Sequence, residues 1–287
     1  MTKHYPNNNE VQLKQTDIVF SNDLRMTVVA GNNVLEDLDL AIETANTLKR
    51  ICERLGLNYV YKASFDKANR SSVDSYRGPG LKEGLKILAE VKSTCSVAVI
   101  TDVHEKEQCK PVAEVADIIQ IPAFLVRQTD LIAAAAQTKK PINLKKMQMM
   151  APKDLQNTID KFKHFGNGEL ILCERGTSFG YGNLIVDPLG VLEMKKLGWP
   201  VMFDITHSLQ QPGGLGKATA GRGEDAYYLA KSIVSLGISS IFLETHPDPS
   251  KAKCDGPCAT KLDEAEVLLT HLAELDRLVK RQVNELR

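Results

Sequence analysis

The chain has 287 residues, 43% hydrophobic and 25% charged, an ordinary balance for a folded globular protein. Lys+Arg and Asp+Glu both number 36, so the formal net charge is zero. That excludes a global basic field for nucleic acid or an anionic membrane, and any anion binding must be local. There is no run of about 18 apolar residues to cross a membrane. The polar start, Met1 to Asn9, lacks the apolar core of a signal peptide, which predicts a cytoplasmic protein.

Along the chain, Val11–Phe20 alternates apolar and polar residues and predicts a short hairpin that closes one end of the fold. Eight short apolar runs come next: Thr27–Ala30, Tyr59–Ala63, Val97–Thr101, Ile118–Ile121, Ile142–Lys145, Leu170–Cys173, Val201–Asp204 and Ile241–Leu243. Helical patterns separate them. Leu38, Ala41, Ala45, Leu48, Cys52 and Leu55 recur at spacings of three and four, with Gly56 as the C-terminal cap. Leu268, Leu272, Leu275 and Val279 repeat the period in the last helix. Strands apolar on both faces, alternating with helices, predict a (β/α)₈ TIM barrel with a short N-terminal β-hairpin; an open doubly wound sheet is the alternative. Such a barrel takes roughly 250 residues, so 1–287 reads as a single catalytic domain. The glycine-rich stretch Gln210–Gly223 reads as a long mobile loop after the seventh strand.

In a barrel of this kind the loops after the strands build the active site. Here they are polar. Lys62, Lys67, Asn69, Arg70 and Ser71 come after the second run; Asp102 and His104 after the third; Gln120, with Arg127 nearby, after the fourth. Lys145, Lys146 and Gln148 end the fifth, Glu174 and Arg175 the sixth, His207 the seventh, and Glu244 and His246 the eighth, with Asp255 beyond. One such residue is ordinarily a solvated surface charge. Charged or imidazole groups at one strand end after another would be costly to desolvate without a compensating ligand. Lys62, Lys67, Arg70, Lys145 and Arg175 together imply an anion with more than one phosphate or carboxylate.

Competing motifs are weaker. Gly213-Gly214-Leu215-Gly216-Lys217 lacks the spacing and the Ser/Thr of a phosphate-binding P-loop. The Cys254/Cys258 pair has no second pair to complete a zinc site and reads as a tight Asp-Gly-Pro turn. The cysteines otherwise read as buried or incidental thiols of a reducing compartment. His246 heads the rigid His246-Pro247-Asp248-Pro249 segment and reads equally as structural or functional, whereas His4, His164 and His271 read as surface residues.

The strings KASFDKANRSS, SYRGPG, TDVHE, QIPAFLVRQTD, ERGTSFGYGNLIVD, FDITHSLQ and HPDPSKAKCDGP resemble the 3-deoxy-D-manno-octulosonate 8-phosphate synthases, from about Val28 to the final helix. The resemblance implies condensation of phosphoenolpyruvate with arabinose 5-phosphate for the sugar core of lipopolysaccharide. It implies that Lys62, Lys67, Lys145 and Arg175 hold phosphoenolpyruvate, that Asn69 touches the sugar, and that Arg70 and Ser71 lie near its phosphate. It also implies a homotetramer in which Arg127 of a neighbouring subunit completes the sugar-phosphate site. Lys145 or Lys67 is the expected proton donor, and Asp255, His207 and Glu244 are expected to position water. Asp102, His104, Gln120, Gln148 and His246 complete the expected substrate-binding set. Two stretches depart from the family pattern: Met147-Gln148-Met149-Met150, and Gly223 in place of an Arg.

The resembled family includes members that need a divalent ion and members that do not. The first kind places a Cys after strand one, joined by a His, a Glu and an Asp. Here His207, Glu244 and Asp255 are present, but the first position is Asn33. A neutral amide is a poor ligand for zinc or iron(II), so the expectation is a metal-independent enzyme without a cofactor, with Asn33 in its catalytic set. Three other readings remain. The related 3-deoxy-D-arabino-heptulosonate 7-phosphate synthases usually carry Lys-Pro-Arg where this chain has Lys67-Ala68-Asn69-Arg70. A Schiff-base aldolase would use Lys62 or Lys145 as nucleophile. A non-enzymatic anion-binding barrel would release no phosphate.

Overall fold

The computed structural model describes residues 9–211 and 220–285. His4 and the Gly213–Lys217 motif lie outside the described residues. Eight strands carry the fold: Thr27–Gly31 (β1), Asn58–Lys62 (β2), Ala98–Asp102 (β3), Ile118–Ile121 (β4), Ile142–Lys145 (β5), Leu170–Glu174 (β6), Val201–Asp204 (β7) and Ser240–His246 (β8). Each pairs in parallel with the next, and β8 returns to β1 in register from Ser240↔Thr27 to Glu244↔Gly31. The sheet is therefore a closed barrel, which removes the open-sheet alternative.

Between the strands run Leu38–Leu55 (α1), Leu81–Cys95 (α2), Lys106–Val115 (α3), Thr129–Gln137 (α4), Leu155–His164 (α5), Pro188–Lys196 (α6), Ala226–Val234 (α7) and Ala265–Glu285 (α8). The first shows how local sequence sets the ends. Asp37 Oδ1 accepts from Leu40 N at 2.8 Å, and Gly56, at φ 67°, makes the left-handed turn that ends α1. Ala41, Ala45, Leu48 and Cys52 are buried along its inner face.

Two apolar layers arise from the period of two along each strand. Outward residues such as Val28, Ala30, Tyr61, Val99 and Leu144 pack under the helices. Inward residues Val29, Val60, Ala98, Ile100, Ile118, Ile171, Cys173, Met202 and Phe242 fill the barrel. Val11–Gln12 pairs antiparallel with Val19–Phe20, and Val11, Leu13 and Phe20 join this inner cluster. Asn22 ties the hairpin to the start of β7 by bonds to Trp199 O (3.0 Å) and from Val201 N (2.9 Å), so it plugs the amino-terminal end.

Of the expected loop Gln210–Gly223, residues 212–219 lie outside the described residues. Gln210–Gln211 and Ala220–Gly221 form an antiparallel ribbon, Gln210↔Gly221 and Gln211↔Ala220. Two of the loop's glycines serve close approach: a Cβ on Gly221 would collide with Cys258 Sγ, and one on Gly223 would lie 2.7 Å from Pro257 O. That contact also accounts for the absence of a side chain at position 223. Among the described residues no helix is long and apolar enough to cross a membrane.

Candidate active site

The inward register that fills the barrel with apolar side chains also sets the chemistry of its carboxyl end. Two residues beyond Val60 the inward position is Lys62; beyond Ile100 it is Asp102; beyond Ile118, Gln120; beyond Asn143, Lys145; beyond Cys173, Arg175; beyond Met202, Asp204; beyond Phe242, Glu244. The top layer is thus built of charged and amide groups, all buried. Lys146 and Glu174 have the opposite parity. They pair with each other at 3.5 Å beside Thr177 and do not line the cavity, so two charges counted at the strand ends do not join the rest.

Above this layer lies a cavity of about 470 Å³. It gathers Lys62, Lys67, Asn69, Arg70, Ser71, Asp102, His104, Gln120, Lys145, Gln148, Arg175, His207, Glu244 and Asp255 from all but the first strand's loop. Three sequence-derived candidates lie outside its lining. Asn33 stands behind Asp255, donating from Nδ2 to Oδ2 at 2.9 Å. His246 is turned toward Glu36 (3.6 Å) and accepts from Asp248 N through Nδ1. Arg127 is exposed beside Met147, Met149 and Met150 in a second cavity of about 330 Å³.

Within the main cavity the cations are held in two groups. Lys62 Nζ lies 3.1 Å from Asp102 Oδ1 and 2.9 Å from Ser64 Oγ, while His104 Nε2 meets Asp102 Oδ2 at 2.9 Å. Burial pulls the Lys62 ammonium below its usual range, against the pull of Asp102. Burial opposes ionisation of Asp102 too, yet Lys62 and His104 hold its carboxyl well below the carboxylate range. On the other side Lys145 Nζ is bonded to Asp204 Oδ2 and lies 3.7 Å from the Phe242 ring centre. Arg175 donates from Nη2 to Gln210 Oε1 at 2.7 Å, but its buried Nη1 has no hydrogen-bond partner among the described residues. Burial lowers its pKa. A buried guanidinium that lines a cavity and keeps one donor unpaired is built to receive an anion.

Lys67 bridges these groups to the water-side carboxylates. Its Nζ lies 3.8 Å from Glu244 Oε1; burial works against its charge, but Glu244 foremost raises its pKa above the ordinary lysine value. Ligand atoms of His207, Glu244 and Asp255 lie within 4.8 Å of one another. His207 faces Asp204 through Nδ1 (2.8 Å) and Glu244 through Nε2 (3.5 Å). Burial opposes the Asp255 charge, and His207 and Lys67 outweigh it, keeping that carboxyl low. Asn33 turns its amide N–H to this carboxylate, and its Oδ1 has no hydrogen-bond partner among the described residues. A neutral amide is a poor fourth ligand for zinc or iron(II), and Lys67 already supplies a cation to Glu244. His207, Glu244 and Asp255 remain as three ligands, the number an open catalytic zinc site uses.

Residues that sequence patterns did not single out complete the site. Asp204 is fully buried and joins Lys145 to His207. Ser64 bridges Lys62 and Asp102, Gln210 orients Arg175, and Cys254 Sγ accepts from Arg70 Nη1 at 2.6 Å. Burial pushes the Cys254 thiol up to about 12, so it is a polarizable neighbour and not a thiolate. Strand parity alone would have found Asp204, two places after Met202. The others needed the tertiary contacts.

Comparison with known proteins agrees in kind. A family model described as the DAHP synthetase I family matches residues 8–281. A protein of Hahella chejuensis named 2-dehydro-3-deoxyphosphooctonate aldolase is 54% identical over 272 residues, 95% of this chain and 97% of that one. Proteins of the same name from Shewanella piezotolerans and Shewanella sediminis are each 56% identical over 263 residues, 92% of this chain and 93% of theirs.

Proposed function

Because the chain belongs to the DAHP synthetase I family, we propose that it condenses phosphoenolpyruvate with D-arabinose 5-phosphate and water. The products are 3-deoxy-D-manno-octulosonate 8-phosphate and inorganic phosphate, and the eight-carbon acid serves lipopolysaccharide core synthesis. The observation that carries this reading is the set of buried cations around one cavity, in a chain 54% identical to a protein named for an octonate. An eight-carbon acid built on three-carbon phosphoenolpyruvate needs a five-carbon aldose, which disfavours the heptulosonate chemistry.

Lys62, Lys67, Lys145 and Arg175 bind the phosphate and carboxylate of phosphoenolpyruvate, with Arg175 Nη1 as the spare donor. Asp102, His104, Gln120 and Gln148 orient these groups. Asn69, Arg70 and Ser71 receive the sugar and its phosphate. C3 of phosphoenolpyruvate bonds to the aldehyde carbon, and Lys145 or Lys67 protonates the new alkoxide. Water held by His207, Glu244 and Asp255, with Asn33 behind, adds to C2; phosphate then leaves with the bridging oxygen and C2 becomes the ketone. The cations around the cavity stabilise negative charge as it moves.

The Asn33 amide, a poor ligand beside His207, Glu244 and Asp255, supports a metal-independent reaction. Residues 1–287 act as one catalytic domain in the cytoplasm, in a homotetramer whose neighbouring subunit lends Arg127 to the sugar phosphate. Steady-state phosphate release with phosphoenolpyruvate and a panel of aldose phosphates tests the reading. Arabinose 5-phosphate is expected to be the preferred acceptor. Preference for erythrose 4-phosphate transfers the chain to the heptulosonate reaction, and inactivation by borohydride with substrate points to a Schiff-base aldolase.

A further inference from the structure

We propose that Glu36 is a positioning residue: from outside the cavity its carboxylate clamps the loop after β8 against the loops after β1 and β2, and so keeps Cys254 and Asp255 in register. The proposal rests on the functional reading above for the roles of those two residues.

Glu36 lies three residues beyond Asn33, with a side chain 10% exposed. Its Oε1 accepts from Lys253 N at 3.0 Å and faces His246 Nε2 at 3.6 Å; Oε2 lies 3.9 Å from Lys253 Nζ. Because His246 Nδ1 accepts from Asp248 N at 3.0 Å, the neutral ring carries its proton on Nε2, the atom turned to Glu36. The second loop joins through Tyr76, whose ring lies 4.6 Å below Lys253 Nζ and whose hydroxyl donates to Leu35 O at 2.9 Å. Three loops therefore meet around one carboxylate.

The two residues just past Lys253 give the clamp its consequence. Cys254 receives the Arg70 guanidinium, and Asp255 holds the Asn33 amide and faces His207. Asp255 has φ 49°, a left-handed conformation that a non-glycine residue keeps only when its surroundings fix it. Glu36, bonded two residues earlier, and Asn33, bonded at the side chain, supply that fixation. Of the four cations assigned to phosphoenolpyruvate, Lys62 and Lys145 stand on β2 and β5 and Arg175 just past β6, away from the clamp, and only Lys67 is on a clamped loop. A slack clamp should disturb the sugar-phosphate subsite and the water, and leave phosphoenolpyruvate binding largely alone.

The test compares Glu36→Ala and Glu36→Gln in the full chain, by steady-state kinetics and by amide hydrogen exchange. Glu36→Ala should raise KM for arabinose 5-phosphate and lower kcat, each by about 10- to 100-fold, as misplacement from outside a site does. KM for phosphoenolpyruvate should stay within about twofold, since three of its four cations stand apart from the clamp. Exchange should quicken over residues 252–259. Glu36→Gln should recover most of both, because its amide oxygen still accepts from Lys253 N. If Glu36→Ala does not fold, His246→Ala takes its place with the same expected split. A folded variant with both KM values unchanged, or both raised together, overturns the proposal. Should the unaltered chain fail to turn over these substrates, the functional reading falls, and exchange alone decides the clamp: faster exchange in Glu36→Ala upholds it, unchanged exchange sinks it.

Discussion

His207 Nδ1 lies 2.8 Å from Asp204 Oδ2, and the same oxygen receives the Lys145 ammonium. One buried carboxylate therefore aligns the residue proposed to protonate the alkoxide and the residue proposed to hold water. Asp204→Asn keeps the shape but turns either a neutral oxygen or an N–H toward both partners. We expect kcat to fall about 10²- to 10⁴-fold, the range for a lost positioned proton donor. Breaking such a buried pair should also cost about 3–5 kcal/mol of stability, read by urea unfolding. Near-native kcat in a folded variant would remove Asp204 from the site.

Acid should expose the same pair. Burial alone would raise the Asp204 carboxyl, but His207 and Lys145 hold it far below the usual range, and Lys62 and His104 do the same for Asp102. A depressed folded pKa stabilises the fold above the unfolded value near pH 4, and that stabilisation is lost as pH falls further toward the folded value. These two groups should therefore give no slope between pH 5 and 8, and each up to about 1.4 kcal/mol per pH unit below about pH 4. In Asp204→Asn the acid slope should be shallower than in the unaltered chain. Equal slopes would contradict the assignment.

Arg175→Ala tests the anion anchor directly. A charged pair of this kind is worth roughly 2–5 kcal/mol when its partner is left bare, so kcat/KM for phosphoenolpyruvate should fall about 30- to 5000-fold. Retention of near-native kcat/KM with normal folding would show that the spare Nη1 donor serves another purpose.

Exhaustive treatment with EDTA or dipicolinate should leave activity intact, with no stoichiometric metal by elemental analysis. Asn33→Cys should bind zinc or manganese measurably tighter, because a thiolate would join His207, Glu244 and Asp255. Activity lost on chelation and restored by a divalent ion would reverse the metal assignment.

Arg127 is exposed and outside the main cavity, so its proposed role requires a neighbouring subunit. Inactive variants at Arg127 and at Lys145 should, when mixed, regain part of the activity once subunits exchange. Proven exchange without recovery would end the shared-site reading.

Much of this molecule was legible in the chain itself. The eight apolar runs and the intervening helical periods point to a parallel sheet covered by helices, because strands apolar on both faces must be buried on both; the β8–β1 pairing is what closes it into a barrel. The cations Lys62, Lys67, Arg70, Lys145 and Arg175 were visible because a charge just past an apolar run is out of place unless something meets it. Which charges converge was decided by parity and by contact across strands. Lys145 and Lys146 are adjacent in sequence, yet one faces Asp204 inside the barrel and the other Glu174 outside it. Partners such as Asp204 for Lys145, or Glu36 for Lys253, join different strands or loops. Sequence periodicity records which face a residue takes within its own element. Barrel closure alone fixes which residue of another element stands opposite, and so only the tertiary structure names the pairs.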